Sequence, residues 1–165
     1  MVEIDTALKK YHHLKIKDIM PTKDEMPIVC INNSVLDVLK LLRTRHHVWV
    51  IDTKNDNNLE GIIRYLDVID FLLPPSKHKI YMGSSTSILK SIIGGANTVK
   101  EILQPNPLTI NQNNTVLEVL TKMEQYKVQI IGVVDDNNKL VGEISLKILI
   151  RQFMDLCMFS TNCGE

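Results

Sequence analysis

The chain has 165 residues and is 44% hydrophobic, enough for one substantial core or two small cores that share a face, and too apolar for a disordered composition. Lys+Arg and Asp+Glu both number 19, so the formal net charge is zero and nothing in the overall charge steers the protein toward nucleic acid or an anionic membrane. The apolar runs are all far shorter than a bilayer span, and the opening Met1–Val2–Glu3–Ile4–Asp5 is acidic and lacks a secretory apolar region, so a cytoplasmic location is expected.

Cys30, Cys157 and Cys163 are odd in number and show no C-x-x-C spacing, which fits free thiols; Cys30 lies in an apolar run and reads as core. Residues 1–13 read as a weakly helical N-terminal arm ending in His12–His13. Neighbouring histidines do not share a helical face, so they read as exposed polar residues rather than metal ligands. Ile16–Lys17–Asp18–Ile19–Met20 reads as one helical turn stopped before Pro21. Ile28–Val29–Cys30–Ile31 is a short β-like run. Behind it, Asn33–Ser34 caps a helix whose stripe is Val35, Val38, Leu39 and Leu42. Arg43, Arg45, His46 and His47 form the densest basic cluster. They suit a helix C-terminus, and they are also of the right charge for a phosphate. Val48 to Ile51, the turn Asn55–Asp56–Asn57–Asn58, and the run through Gly61 to Ile63 read as a β-hairpin. Trp49, inside that first strand, reads as core or interface rather than as a stacking platform for a base. A second helix is expected over 65–72, stopped at Pro74–Pro75.

The pattern then repeats. Leu59–Glu60–Gly61–Ile62–Ile63–Arg64–Tyr65–Leu66–Asp67 is matched by Leu140–Val141–Gly142–Glu143–Ile144–Ser145–Leu146–Lys147–Ile148 at a constant offset. Val99–Lys100–Glu101–Ile102–Leu103 repeats the lead-in turn, Leu108–Thr109–Ile110 the first strand, and Val116, Val119, Leu120 and Met123 the helix stripe, with Thr115 and Glu118 at capping-box spacing. Asp135–Asp136–Asn137–Asn138 is the second hairpin turn, and a final helix is expected over 146–156. Glycine at the same place in each hairpin suggests a bulge or a close backbone approach. Glu143 reads as surface or as the rim of a dimer. Between the copies, Ser85–Thr86 reads as the cap of a helix carrying Ile88, Leu89, Ile92 and Ile93.

This doubled order resembles a pair of CBS domains, the tandem regulatory modules (Bateman modules) that bind adenosine-containing ligands. The resemblance covers nearly everything from Ile16 to Phe153. It implies an α/β (α+β) fold of two β-α-β-β-α units packed sheet to sheet with pseudo-twofold symmetry. The expected divisions are an arm (1–13), a first CBS domain (14–73), an inter-repeat segment with a short helix (74–97), a second CBS domain (98–156) and a flexible tail (157–165), mobile after about Phe153. A homodimer through helices of both units is expected as well.

The family's ligand pattern is Gly-x-x-Ser/Thr-x-x-Asp, in which the Asp takes the ribose hydroxyls and the Ser/Thr bonds near the helix N-terminus. Here it is split: the first copy keeps Gly61 and Asp67 but has Arg64 at the hydroxyl position, while the second keeps Gly142 and Ser145 but has Ile148 at the Asp position. Two roles are open to Arg64: pairing with a phosphate, or pairing with Asp67 and filling an empty site. The Asp67 cleft therefore ranks above the Ile148 cleft, which is expected to be empty or weak. The resemblance also implies a contact from Thr109, with Cys30 at about that place in the first copy. Ile28 and Leu108 stand open between adenine edge and core.

No G-x-S-x-G, G-x-x-x-x-G-K-[ST], H-E-x-x-H or G-x-G-x-x-G pattern occurs, so no enzyme is expected. The expected function is a non-catalytic regulatory module sensing AMP, ADP, ATP or S-adenosylmethionine and acting on an unidentified regulated protein. The alternative is a CBS-like interaction protein with degenerate ligand sites.

Overall fold

The computed structural model describes residues 2–72 and 98–161. The helix expected around Ile88–Ile93 and the end of the expected tail, 162–165, lie outside the described residues. The chain forms two compact units, a central unit (Pro27–Pro107) and a terminal unit (Met1–Met26 with Leu108–Glu165), named for their places in the sequence.

In the central unit, β1 (Ile28–Cys30) pairs in parallel with β2 (His47–Asp52), and β2 pairs antiparallel with β3 (Asn58–Arg64). Parallel strands need a crossover, and α2 (Val35–Leu42; α1 belongs to the terminal unit) supplies it. Val29, Val48, Val50 and Ile63 point to the helix side and meet Val38, Leu42, Val68 and Val99 in one core. The hairpin closes with Asn58 N–H donating to Asn55 C=O. Asp56 and Asn57 both hold positive φ, 55° and 57°, a type I′ geometry that short polar side chains tolerate. Past β3 the chain makes a tight turn over Tyr65–Val68 and a short helix, α3 (Ile69–Leu72), where the sequence suggests one continuous helix.

The terminal unit repeats this plan. β5 (Thr109–Asn111) pairs in parallel with β6 (Ile130–Val134), and β6 antiparallel with β7 (Leu140–Ser145), with helix Val116–Tyr126 as the crossover. Its hairpin turn differs: Asn138, not the central pair, takes the positive φ, 62°. The final helix runs Leu146–Thr161, five residues beyond the expected end at Leu156. The first residues of the expected tail, 157–161, thus continue the helix, and the helix is packed as far as Leu156. Tyr11 on α1 (Val2–His13) is buried, donates its hydroxyl to Leu149 C=O at 2.8 Å, and sets its ring 5.3 Å from that of Phe153. Leu156 packs against the same core. Burial pushes the Tyr11 phenol up.

The compact units do not coincide with the sequence repeats, because the lead-in turns are exchanged. Ile16–Asp18, which precedes the first repeat, belongs to the core of the second: Ile16 is fully buried there, and its N–H donates to Asn114 C=O. Helix α4 (Val99–Ile102), which precedes the second repeat, belongs to the core of the first: Val99 is fully buried, and its N–H donates to Asn33 C=O. A single turn cannot bury its own apolar side, so it borrows a sheet already formed.

The hairpin glycines receive these turns. Each follows a bulge: the ladder passes from Val50↔Gly61 to Ile51↔Leu59, leaving Glu60 extra, and from Val133↔Gly142 to Val134↔Leu140, leaving Val141 extra. A Cβ at Gly61 would stand 2.6 Å from Gln104 O and 2.7 Å from Leu103 Cδ1; one at Gly142 would stand 2.5 Å from Met20 Sδ. Beyond Leu103, Gln104–Pro105 adds a strand not foreseen from sequence, β4, on the outer edge of β3. Gly61→Ala must displace backbone, whereas Gly142→Ala need only swing a flexible thioether. Urea unfolding is expected to show a loss of roughly 2 kcal/mol for Gly61→Ala and clearly less for Gly142→Ala; equal losses would contradict the contact geometry.

Candidate functional site

The pleat sorts the candidate residues. Because Val29, Val48, Val50 and Ile63 face the helices, the alternate residues Ile28, His47, Trp49, Ile62 and Arg64 share the opposite face of the central sheet. Ile28↔Trp49↔Ile62 forms one row across three strands, and His47↔Arg64 is the next. Trp49 is 1% exposed and its ring meets that of His47 edge-on at 5.6 Å, which makes it core. The basic cluster divides: His47 is buried, while Arg43, Arg45 and His46 are exposed, with the His46 ring 5.6 Å from that of Tyr65. Strand pairing thus brings the end of this cluster beside Arg64, a neighbourhood that the long separation between His47 and Arg64 conceals in the sequence.

Arg64 closes β3, and Asp67 sits in the turn behind it. The Asp67 carboxylate accepts the backbone N–H of Arg64 at 2.7 Å. Arg64 is exposed and Asp67 half-buried. The link is therefore a helix-start hydrogen bond rather than an ion pair. Gly61 lies three residues earlier on the same strand, where it accommodates the lead-in turn.

In the terminal unit, Ser145 closes β7. Its hydroxyl oxygen accepts the N–H of Ile148 at 3.3 Å. Thr109 lies on β5, two strands away, and its carbonyl accepts from Lys122 Nζ at 2.7 Å. Beside β5 a groove of about 540 Å³ is lined by Thr109, Asn111, Glu118, Lys122 and Gln125 among others; Ser145 is not part of it. Thr109 and Ser145 share the face opposite the core, and so does Glu143. The strand period of two already put Glu143 on the face of Ser145; that signal was available in sequence and points away from a plain surface reading.

A single local device underlies these motifs. Ser34 with Asp37, and Thr115 with Glu118, make complete capping boxes: the hydroxyl accepts the N–H three residues on, and the carboxylate accepts the N–H of the cap. Arg64 with Asp67 keeps only the carboxylate half, since a guanidinium has no acceptor, and Ser145 with Ile148 keeps only the hydroxyl half. The hydrogen bonds from Ser34, followed by Lys40, hold the Asp37 carboxyl below its ordinary value, and the bonds from the Thr115 backbone and Asn114 do the same for Glu118.

Among the described residues no group of three or more His, Cys, Asp or Glu is placed to hold a metal ion, and no helix is long and apolar enough to cross a membrane.

Two β-α-β-β-α repeats with mixed sheets, each ending in a strand-to-helix motif, define a tandem module. The CBS domain pattern matches residues 16–74 and 99–155, and the chain belongs to the CBS domain family. Among related sequences, an uncharacterized protein of Methanocaldococcus jannaschii is 26% identical over 100 residues, 61% of this chain and 35% of that protein. The L-aspartate semialdehyde sulfurtransferase of the same organism is 29% identical over 93 residues, 55% of this chain and 17% of that enzyme. The matched stretch thus spans only a minor part of either relative. Among solved structures, the CBS domain of a bacterial CNNM/CorC family Mg²⁺ transporter in complex with ATP superposes with a TM-score of 0.68 at 21% identity, covering 93% of this chain and 96% of that one. CBSX2 in complex with AMP gives 0.68 at 20% identity, covering 86% and 97%. These likenesses bear on the fold.

The capping carboxylates give a pH dependence of definite sign. Their folded values lie below their unfolded ones, so their contribution is complete above the ordinary carboxylate range and is lost as pH falls through the folded values. Urea unfolding is expected to weaken from about pH 4.5 downward, and Asp37→Asn with Glu118→Gln is expected to flatten that acid limb. An unchanged slope in the double variant would place the acid sensitivity elsewhere.

Proposed function

We propose that the protein is a non-catalytic regulatory module that binds an adenine nucleotide or related adenosyl compound in the central unit. Asp67 takes the ribose and Arg64 a phosphate. The observation that carries this reading is the position of Arg64 and Asp67 at the end of β3, with Arg64 exposed and Asp67 bonded to backbone rather than to the guanidinium. A carboxylate accepts two hydroxyls of a diol in fixed geometry, and a guanidinium pairs with a phosphate in two parallel bonds. Arg43 and Arg45, exposed on the segment that leads into β2, add positive charge. Ile28, on the same sheet face, is the adenine-edge residue of this reading. AMP, ADP, ATP and S-adenosylmethionine all carry the diol.

A second reading has its own support. Asp67 and Ser145 each complete a backbone hydrogen bond at a helix start, which is reason enough for either residue in an interaction protein with degenerate sites. Titration calorimetry separates the two. Asp67→Ala is expected to cost roughly 2 kcal/mol of binding free energy, a loss of order thirtyfold. Absence of binding by all four compounds up to about a millimolar, a concentration equivalent to roughly 4 kcal/mol of affinity, would favour the interaction protein.

The partner reading includes a second copy of this chain. Leu36 and Leu117 are 61% and 49% exposed, and Ile69 and Ile150 are 43% and 56% exposed. These are the same positions in both repeats, and apolar exposure repeated in this way suits a symmetric partner. Light scattering is expected to give a dimer mass that Ile69→Glu with Ile150→Glu converts to a monomer. A stable monomer of the unaltered chain at high micromolar concentration would reject the dimer.

A further inference from the structure

Helix Val116–Tyr126 carries Glu118 and Lys122 one turn apart, with the carboxylate nearer the N-terminus, the order in which such residues ordinarily pair. Among the described residues no ion pair joins them; each is held elsewhere. Glu118 turns back to the helix start, where Oε2 accepts the Thr115 N–H at 2.6 Å and the Thr115 hydroxyl at 3.1 Å, and Asn114 adds a side-chain bond. Lys122 reaches the other way and donates to the Thr109 carbonyl of β5 at 2.7 Å. The two charged ends are thereby drawn apart, and both border the groove of about 540 Å³ beside β5. That volume falls within the range of small-ligand sites, roughly 300–1,000 Å³. The central unit has no equivalent. Asp37 stands at the position of Glu118, but Leu41 stands at that of Lys122, and Lys40 pairs with Asp37.

We infer that this groove binds a free α-amino acid, with the ligand carboxylate on Lys122 and the ligand ammonium on Glu118. Opposite charges a helical turn apart select for a zwitterion. A lone anion drawn to Lys122 is repelled by Glu118, and a lone cation drawn to Glu118 is repelled by Lys122; a molecule with both charges satisfies both. Both groups have capacity left. The ammonium of Lys122 keeps further N–H donors after its bond to Thr109, and the Glu118 carboxylate keeps acceptor capacity after its bonds to Thr115 and Asn114. Lys122 is half-buried and fixed to backbone, so less ordering is lost on binding. Lys15 adds positive charge toward Glu118 without lining the groove. The half-exposed Leu117 and the exposed amide of Gln125 line the rest, an apolar surface and a polar end for the ligand side chain. The site shares no side chain with the Asp67 reading, and the two stand or fall separately.

Titration calorimetry of the intact chain with the standard L-amino acids, one at a time, tests this. At least one is expected to bind. Its N-acetyl derivative, which lacks the ammonium, and its methyl ester, which lacks the carboxylate, are each expected to bind about tenfold more weakly or worse. Lys122→Met is expected to weaken the free amino acid by a similar factor while leaving the already weak methyl ester little changed. Glu118→Gln, which keeps an oxygen for the Thr115 N–H, is expected to do the converse: weaken the free amino acid and leave the N-acetyl derivative little changed. Absence of binding by every amino acid up to about 10 mM overturns the proposal. So does a derivative that binds as tightly as its parent, or an affinity that Lys122→Met leaves unchanged. Should Glu118→Gln lower the unfolding midpoint, the two derivatives on the unaltered chain decide, since they remove each ligand charge without touching the helix cap.

Discussion

The contact on which each compact unit depends is the seating of a lead-in turn against a hairpin glycine. Leu103 and the Gln104 carbonyl occupy the space a side chain would fill at Gly61, and Met20 occupies it at Gly142. Neither turn is long enough to be stable alone, and neither sheet closes its core without Val99 or Ile16. The bulge before each glycine bends the strand where the turn arrives. Because each turn precedes one repeat and completes the other, the two repeats are bound together through the chain itself. The central unit is continuous in sequence, and the terminal unit is assembled from both ends of the chain.

The ends of β3 and β7 show how a ligand motif and a helix cap come to share residues. Ser/Thr-x-x-Asp has capping-box spacing, and the complete boxes at Ser34 and Thr115 show the device at full strength in this protein. Where the motif is split, each half still satisfies one backbone N–H. A cap leaves the far side of a carboxylate or the proton of a hydroxyl for other work, so structural use and ligand use do not compete for the same atoms. The sheet faces add the distinction that the motif alone lacks. Trp49 and Ile62 make the central face a hydrophobic one ending in Arg64, whereas Gly132, Glu143 and Ser145 make the terminal face a polar one.

Much of the architecture was legible in the sequence because it is written in local signals. The helical stripes at Val35 and Val116, the Asn/Asp turns, the caps at Ser34 and Thr115, and the repeat itself each depend on residues within a few positions of one another. The glycines announced a bulge or a close approach, and both are present. The split of the ligand motif between Asp67 and Ser145 was likewise visible. Other features depend on residues far apart in the chain, and only the tertiary structure decided them. It is packing between Tyr11 and Leu149, 138 positions apart, that accompanies the final helix to Thr161. It is strand pairing that puts His47 beside Arg64, buries Trp49 and sets Thr109 in one row with Glu143. And it is the exchange of lead-in turns, driven by single turns that need a preformed sheet to bury Ile16 and Val99, that makes the folded units differ from the repeats in the sequence.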